Sequence, residues 1–293
     1  MMGFLLLLFC SLCFGTSVSV DFADNFPVLS KNLVLELLQP FNVTLTKSPS
    51  TGLFLVFGSS ALNCNLDFGD DPEAFQVLAN TTNGLTTICC AGNPSAMVKA
   101  SGSMFATFSL LKALGFGFFH PMRPVLPSSL VLGSSFQNGK VHKPFFPVRG
   151  AHYHTLHPLD LTELFFGEQS VDKTWDQMLP EFALYLSWLS AHKVNRLEFS
   201  ALCPSDKLVE CQSEDKTTKY QTLVKFAHSF GIALFVDIAF ALKQQHAMRM
   251  IYSSTLPEQL REIRASVDWA LGKVFLLLVL YPFFFHSVFE GRV

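Results

Sequence analysis

Two histidines one residue apart, His152 and His154, with His157 just beyond, form the densest group of chemistry-bearing side chains in the sequence. On a strand, where side chains alternate with a period of two, His152 and His154 share a face, and a His-x-His pair of this kind can open a metal site. The other ligands would have to come from later strands that the sequence does not supply, so neither a metal site nor a cofactor is expected. The same imidazoles serve as hydrogen-bonding groups at a strand end. Arg149 stands three residues earlier, able to hold a hydroxyl or to pair with a carboxylate. Glu198 and Ser200 repeat the same-face spacing on a second apolar run, and Asp237 lies on a third. The acidic pair Glu214-Asp215 stands in a polar stretch ahead of a helical pattern.

The runs that must position these groups are strands alternating with helices. Val148–His154 reads as a strand, and Trp175–His192 as a helix with Leu179, Phe182, Leu186 and Leu189 on one face. Val194–Ala201 is the next strand, Lys219–Phe230 a helix ended by Gly231, and Ile232–Phe240 a third strand. Leu256–Leu271 reads as a further helix with Leu260, Ile263, Val267 and Leu271 spaced for burial. Three β-α units in series imply a parallel sheet. Trp175 and Trp188 are expected to be packing residues, and Lys243, His246 and Arg249 a solvated stripe.

A different pattern precedes them. Asn32–Leu38, Phe41–Thr46 and Gly52–Phe57 read as strands, and Phe75–Ala79 with Leu85–Cys90 as a hairpin turning at Thr82-Asn83-Gly84. Ser101 is expected to cap a helix through Leu114, Gly115 to end it, and Phe116–His120 to follow as a short strand. This is an α+β layer, and the Pro-, Ser- and Gly-rich stretch 122–147 marks its boundary.

The ends are apolar. Phe4–Leu12 followed by small residues reads as a secretory leader, cut after Gly15 or Ser19. Its removal leaves Cys64, Cys89, Cys90, Cys203 and Cys211. Cys203 and Cys211 flank a short polar loop they could close, and Cys64 could meet Cys89 or Cys90. Asn42-Val43-Thr44 and Asn80-Thr81-Thr82 are N-glycosylation acceptors. Val274–Phe289 carries no Asp, Glu, Lys or Arg over sixteen residues, short of the roughly 17–25 of a spanning helix, so a membrane anchor is the lesser reading of this tail. The organisation expected is leader 1–19, α+β layer 20–145, β/α segment 146–272 and apolar tail 273–293.

The 293 residues include 21 Lys+Arg and 23 Asp+Glu, a net charge of −2. Such a chain has no basic field to hold nucleic acid. Charged residues make up 15%, against roughly 25% in an ordinary domain, which excludes a disordered, highly solvated chain.

Four motifs in order carry a family resemblance. They are Leu110-Leu111-Lys112-Ala113-Leu114-Gly115-Phe116-Gly117-Phe118-Phe119-His120-Pro121, Arg149-Gly150 after Phe146-Pro147-Val148, Lys193-Val194-Asn195-Arg196-Leu197-Glu198, and Phe226-Ala227-His228-Ser229-Phe230-Gly231-Ile232. Over residues 25–272 the chain resembles the family-20 glycoside hydrolases, the β-hexosaminidase-like group. The resemblance implies a small α+β accessory domain followed by a (β/α) barrel of the TIM type, here about three of eight strands. It implies hydrolysis of O-glycosyl bonds in amino-sugar glycans, a glycan or glycoconjugate partner, and a secreted or lumenal location. Because barrel sites lie at strand C-terminal ends, it makes His152, His154, Glu198, Ser200 and Asp237, with Arg149 lower on its strand, the substrate-contact candidates.

One departure governs the activity expected. The family places an adjacent Asp-Glu pair after the fourth strand, and this sequence contains no Asp-Glu dipeptide. Glycoside hydrolysis needs two opposed carboxyl-type functions, so the chain is expected to be catalytically silent, with no catalytic residue of its own. A glycan-binding protein that uses its first layer, or a remnant tethered by its tail, are the alternatives.

Overall fold

A computed structural model describes residues 17–58, 64, 66–93, 98, 100–133, 136–153, 174–200, 214–237, 251 and 253–269. Residues 1–16, His154, His157, Cys203, Cys211, Lys243, His246, Arg249, Leu271 and the apolar tail lie outside them. Among the described residues no helix is long and apolar enough to cross a membrane.

The first layer is a six-stranded sheet built on apolar runs. It contains β1 (Val18–Phe22), β2 (Thr44–Leu45), β3 (Gly52–Phe57), β4 (Phe75–Thr82), β5 (Leu85–Gly92) and β8 (Val141–His142), in the order β2-β1-β3-β5-β4-β8. β1, β3 and β5 run parallel, and β4 turns back antiparallel on β5. The expected hairpin is present: Asn83 and Gly84 take positive φ (51° and 81°), the conformation a tight two-residue turn requires. Two helices, α1 (Val28–Leu38) and α2 (Ser101–Ala113), cover one face, over Val20, Leu55, Phe57, Val77, Ile88 and Cys90. The opposite face carries a smaller cluster of Phe54, Val56 and Cys89. Cys64 bonds to Cys89 rather than to Cys90.

Three local expectations are corrected. Asn32–Leu38 is the end of α1, not a strand. Leu33, Leu35 and Leu37 alternate over this short window, but the buried set is Ser30, Leu33, Val34, Leu37 and Leu38, a helical spacing that a sheet could not bury on one face. Most of Phe41–Thr46 is irregular, because Gln39–Phe41 forms a single 3₁₀ turn and only Thr44–Leu45 pairs. Ser101 does not cap α2; it is the first helical residue, and its hydroxyl donates to the Gly231 carbonyl at 2.7 Å. After Gly115 (φ 97°) the chain forms a separate ribbon of β6 (Gly117–His120) and β7 (Arg123–Val125).

The second layer is a three-stranded parallel sheet of β9 (Gly150–Tyr153), β10 (Arg196–Ser200) and β11 (Ala233–Asp237), each strand beside the next in chain order. The crossovers contain α3 (Trp175–Ala191) and α4 (Glu214–Ser229). Glu214 and Asp215 thus form the first turn of α4, where their charge suits the helix dipole. Leu186, Leu189, Tyr220, Ala227 and Phe230 join Leu197 and Leu234 in the same buried cluster that α1 and α2 occupy. The two pairs of helices therefore lie back to back between the two sheets. Trp175 and Trp188 pack against this cluster, as expected. Helix α5 (Leu256–Trp269) follows, with Ile263 and Val267 half-buried, but Leu260 is 57% exposed, contrary to its spacing. Its last residue, Trp269, anchors it to α4 by donating to Thr217 Oγ1 at 3.1 Å and meeting Tyr220 edge-on.

Candidate functional site at the three parallel strands

Strand register brings several of the sequence-selected positions together. His152 stands opposite Glu198, which stands opposite Phe235, so three strands contribute to one row. Ser200 stands opposite Asp237 one pleat further on, at the C-terminal ends of the strands. The helices cover the Leu197 and Leu234 side of this sheet, and Glu198 belongs to the alternate set of positions. Glu198 is buried, its carboxylate 3.5 Å from the Arg196 guanidinium, whose carbon stands over the Phe235 ring at 3.9 Å from its centre. Buried carboxylate, guanidinium and aromatic ring are groups that bind hydroxyls and sugar faces. His154 lies outside the described residues. Among the described residues no three His, Cys, Asp or Glu groups gather as a metal set.

Arg149 is placed elsewhere. It precedes the first residue of β9, at the N-terminal end of the sheet, opposite the end where Ser200 and Asp237 stand. There its guanidinium meets Glu73 at 2.7 Å and donates to the carbonyls of Lys193 (2.6 Å) and Phe146. Its strand-end backbone N–H donates to Asn195 Oδ1 at 2.8 Å. Nε, Nη1 and Nη2 of Arg149 thus each donate to a group of the chain itself, the carboxylate pairing among the two expectations for this residue, and tie the two layers together.

Sequence reading missed the centre of that joint, Glu73. Asp71 Oδ1 accepts from the Glu73 backbone N–H at 2.8 Å, a turn that aims the carboxylate at the second layer. Asn195 Nδ2 donates to both Glu73 oxygens at 3.0 Å and to the Pro147 carbonyl at 2.7 Å. Lys193, with φ 64°, turns back from the same loop. Its ammonium donates to the Phe105 carbonyl at 2.8 Å and Ser109 Oγ at 2.5 Å, and lies 4.8 Å from the centre of the Phe75 ring. Burial, then the charges of Lys112 and Arg149, pull the Lys193 amine down to about 7. Lys112 adds a further tie, donating to the Ala191 carbonyl at 2.6 Å. His142 stacks on the same Phe75 ring at 4.9 Å, and burial with Lys140 and Lys193 holds its imidazole below the usual range.

No protein-family model matches the chain, and no curated protein matches it. Solved structures do. A GH138 enzyme targeting pectin rhamnogalacturonan II matches at 13% identity and TM-score 0.48, over 90% of this chain and 30% of that one. A family GH115 4-O-methyl-α-glucuronidase with specificity for decorated arabinogalactans matches at 10% identity and TM-score 0.49, over 89% and 40%. The GH20 β-N-acetylhexosaminidase from Streptomyces coelicolor A3(2) matches at 14% identity and TM-score 0.43, over 77% and 42%. The chain thus spans less than half of each of these proteins, and the neighbours are glycoside hydrolases of several families, with family 20 one among them.

Proposed function

We propose that the chain is a secreted or lumenal protein of carbohydrate-active hydrolase type that contacts a glycan or glycoconjugate and does not itself turn over glycosides. Its first layer is the accessory domain, and β9, β10 and β11 are the opening strands of a (β/α) barrel. One observation carries this reading: three consecutive strands lie side by side and parallel, with both crossover helices in the cluster on one face, Glu198 in register with His152 and Ser200 with Asp237. The first three strands of a barrel follow one another in this way. The absence of an Asp-Glu dipeptide from the sequence supports silence.

The expected leader 1–19 overlaps β1 at Val18 and Ser19. Val18 and Ser19 are buried and pair with Leu53 and Phe54, so a cut after Gly15 keeps the strand whole and a cut after Ser19 halves it. The test is purified chain assayed on chromogenic N-acetylhexosaminides and on immobilised glycans. No turnover, with saturable binding weakened by Glu198→Gln in a variant that melts like the parent, is expected. Turnover of any such substrate would overturn silence, and absence of all glycan binding would overturn the partner.

A further inference from the structure

The two N-glycosylation acceptors occupy corresponding places in the first sheet, one at each edge that the described residues leave open. The outermost strands are β2 and β8, each only two residues long. An unpaired strand edge presents backbone donors and acceptors to any other strand, and folded proteins must block it.

On the β4 side, β8 pairs only with Phe75 and Gln76. Beyond it, the Val77 carbonyl accepts from the Gly139 N–H at 3.0 Å. The Asn138 amide then mimics a strand, accepting from the Ala79 N–H at 2.7 Å and donating to the Ala79 carbonyl at 2.9 Å. Outward-facing peptide groups recur every second residue, so the next are those of Thr81. Among the described residues no strand covers them. Thr81 is the middle residue of the acceptor Asn80-Thr81-Thr82, all three of which are exposed.

On the other side, β2 pairs with β1 through Ser19↔Thr44 and Val20↔Leu45. The Thr46 N–H donates inward to the Val20 carbonyl at 3.1 Å, which leaves the Leu45 peptide groups facing out. Leu45 is also 56% exposed, an apolar side chain on an open edge. The acceptor Asn42-Val43-Thr44 leads directly into it, with Asn42 exposed at a left-handed turn (φ 52°).

We propose that Asn42 and Asn80 carry N-linked glycans, and that each glycan shields one open edge of the six-stranded sheet from pairing with a second copy of the chain. This rests on the lumenal reading above. In the transfer, the asparagine Nδ2 attacks the anomeric carbon of an oligosaccharide held on a lipid diphosphate. The C1–N bond forms, the C1–O bond to the diphosphate breaks, the diphosphate leaves with the electron pair, and one amide proton is released. A bulky, hydrated chain then stands beside the open peptide groups.

The experiment expresses the full chain in a secretory host. It measures intact mass with and without endoglycosidase, the N-terminus, and solution mass by light scattering. The parent is expected to carry two glycans and to be monomeric. Thr44→Val with Thr82→Val removes both acceptors while keeping good strand formers, and is expected at least to double the solution mass. Thr44→Ser with Thr82→Ser keeps both acceptors and is expected to restore the monomer, which separates loss of glycan from loss of threonine. A chain with its leader removed but both asparagines bare would overturn the inference alone. So would a glycan-free double variant that folds and stays monomeric. A chain that keeps its leader and never enters the lumen would overturn the inference together with the reading beneath it.

Discussion

Replacing Glu73 with Gln tests whether one carboxylate joins the two layers. The substitution keeps the shape and removes the charge. Glu73 accepts a 2.7 Å charge-assisted bond from Arg149 and a shared contact from Asn195 at 3.0 Å, with side-chain exposures of 13% for Glu73 and 17% for Arg149. A hydrogen bond to a charged group contributes about 1.5–3 kcal/mol, and breaking a buried ion pair costs about 3–5 kcal/mol. The residual exposure and the remaining amide oxygen place the loss near the lower end, about 3 kcal/mol. The cost is sharpened because Lys193 and Lys112 add positive charge to the same corner. At about 2–4 °C per kcal/mol for a chain of this size, Tm should fall by about 6–12 °C. The assay is thermal and urea unfolding of parent, Glu73→Gln, Arg149→Met and the double variant. A loss for Glu73→Gln below about 1 kcal/mol, or single losses that add to within about 0.5 kcal/mol in the double variant, would refute the joint.

Lys193→Met should flatten the dependence of stability on pH. Its amine titrates near 7 in the fold and near 10.4 when unfolded, so between those values the unfolded chain holds more protons and parent stability rises with pH. Urea midpoints that climb equally in both proteins would contradict this. Gly92→Ala should cost about 3 kcal/mol or more, since an added Cβ would stand 2.0 Å from the Gly102 carbonyl carbon, backbone against backbone; an unchanged urea midpoint would show that β5 and α2 can separate freely. Cys64→Ser should cost roughly 3 kcal/mol by opening the link to Cys89, 25 residues away. Comparing the melting of parent and variant with and without reductant checks it.

Legibility in the sequence followed the range of the interaction. The hairpin at Asn83-Gly84 and the helix ends at Gly115 and Gly231 were readable because positive φ is a local demand that few residues meet. Helices α2, α3 and α4 were readable because each carries several turns of apolar spacing. Helix α1 was not, since Leu33, Leu35 and Leu37 satisfy a two-residue period within seven residues, and only tertiary burial separates the two readings. At the site, the same-face spacing of Glu198 and Ser200 was legible, and register added His152 and Asp237 beside them. The Arg149–Glu73 pair was not, because its members lie 76 positions apart in different layers and no periodic pattern links them. Nothing in the spacing of Asp71-Pro72-Glu73 marks the carboxylate as the anchor of a distant arginine.

The neighbouring cysteines of β5 bear on how the chain matures. Cys89 faces the smaller cluster and is bonded to Cys64, while Cys90 is buried beneath the helices, where burial raises its thiol pKa and Thr107 lowers it in part. Bonding Cys64 to Cys90 instead would require β5 to slip by one residue. That slip turns Ile88 and Cys90 outward and drives Thr87 and Cys89 toward the helices. A chain locked in that state could not close its core, and its sulfurs would stay open to thiol attack. In the aligned chain the Cys90 thiol is sealed beneath the helices and held protonated by burial. The Cys64–Cys89 bond therefore suits one alignment of β5 and disfavours its neighbour, so a single cross-link carries information about strand register.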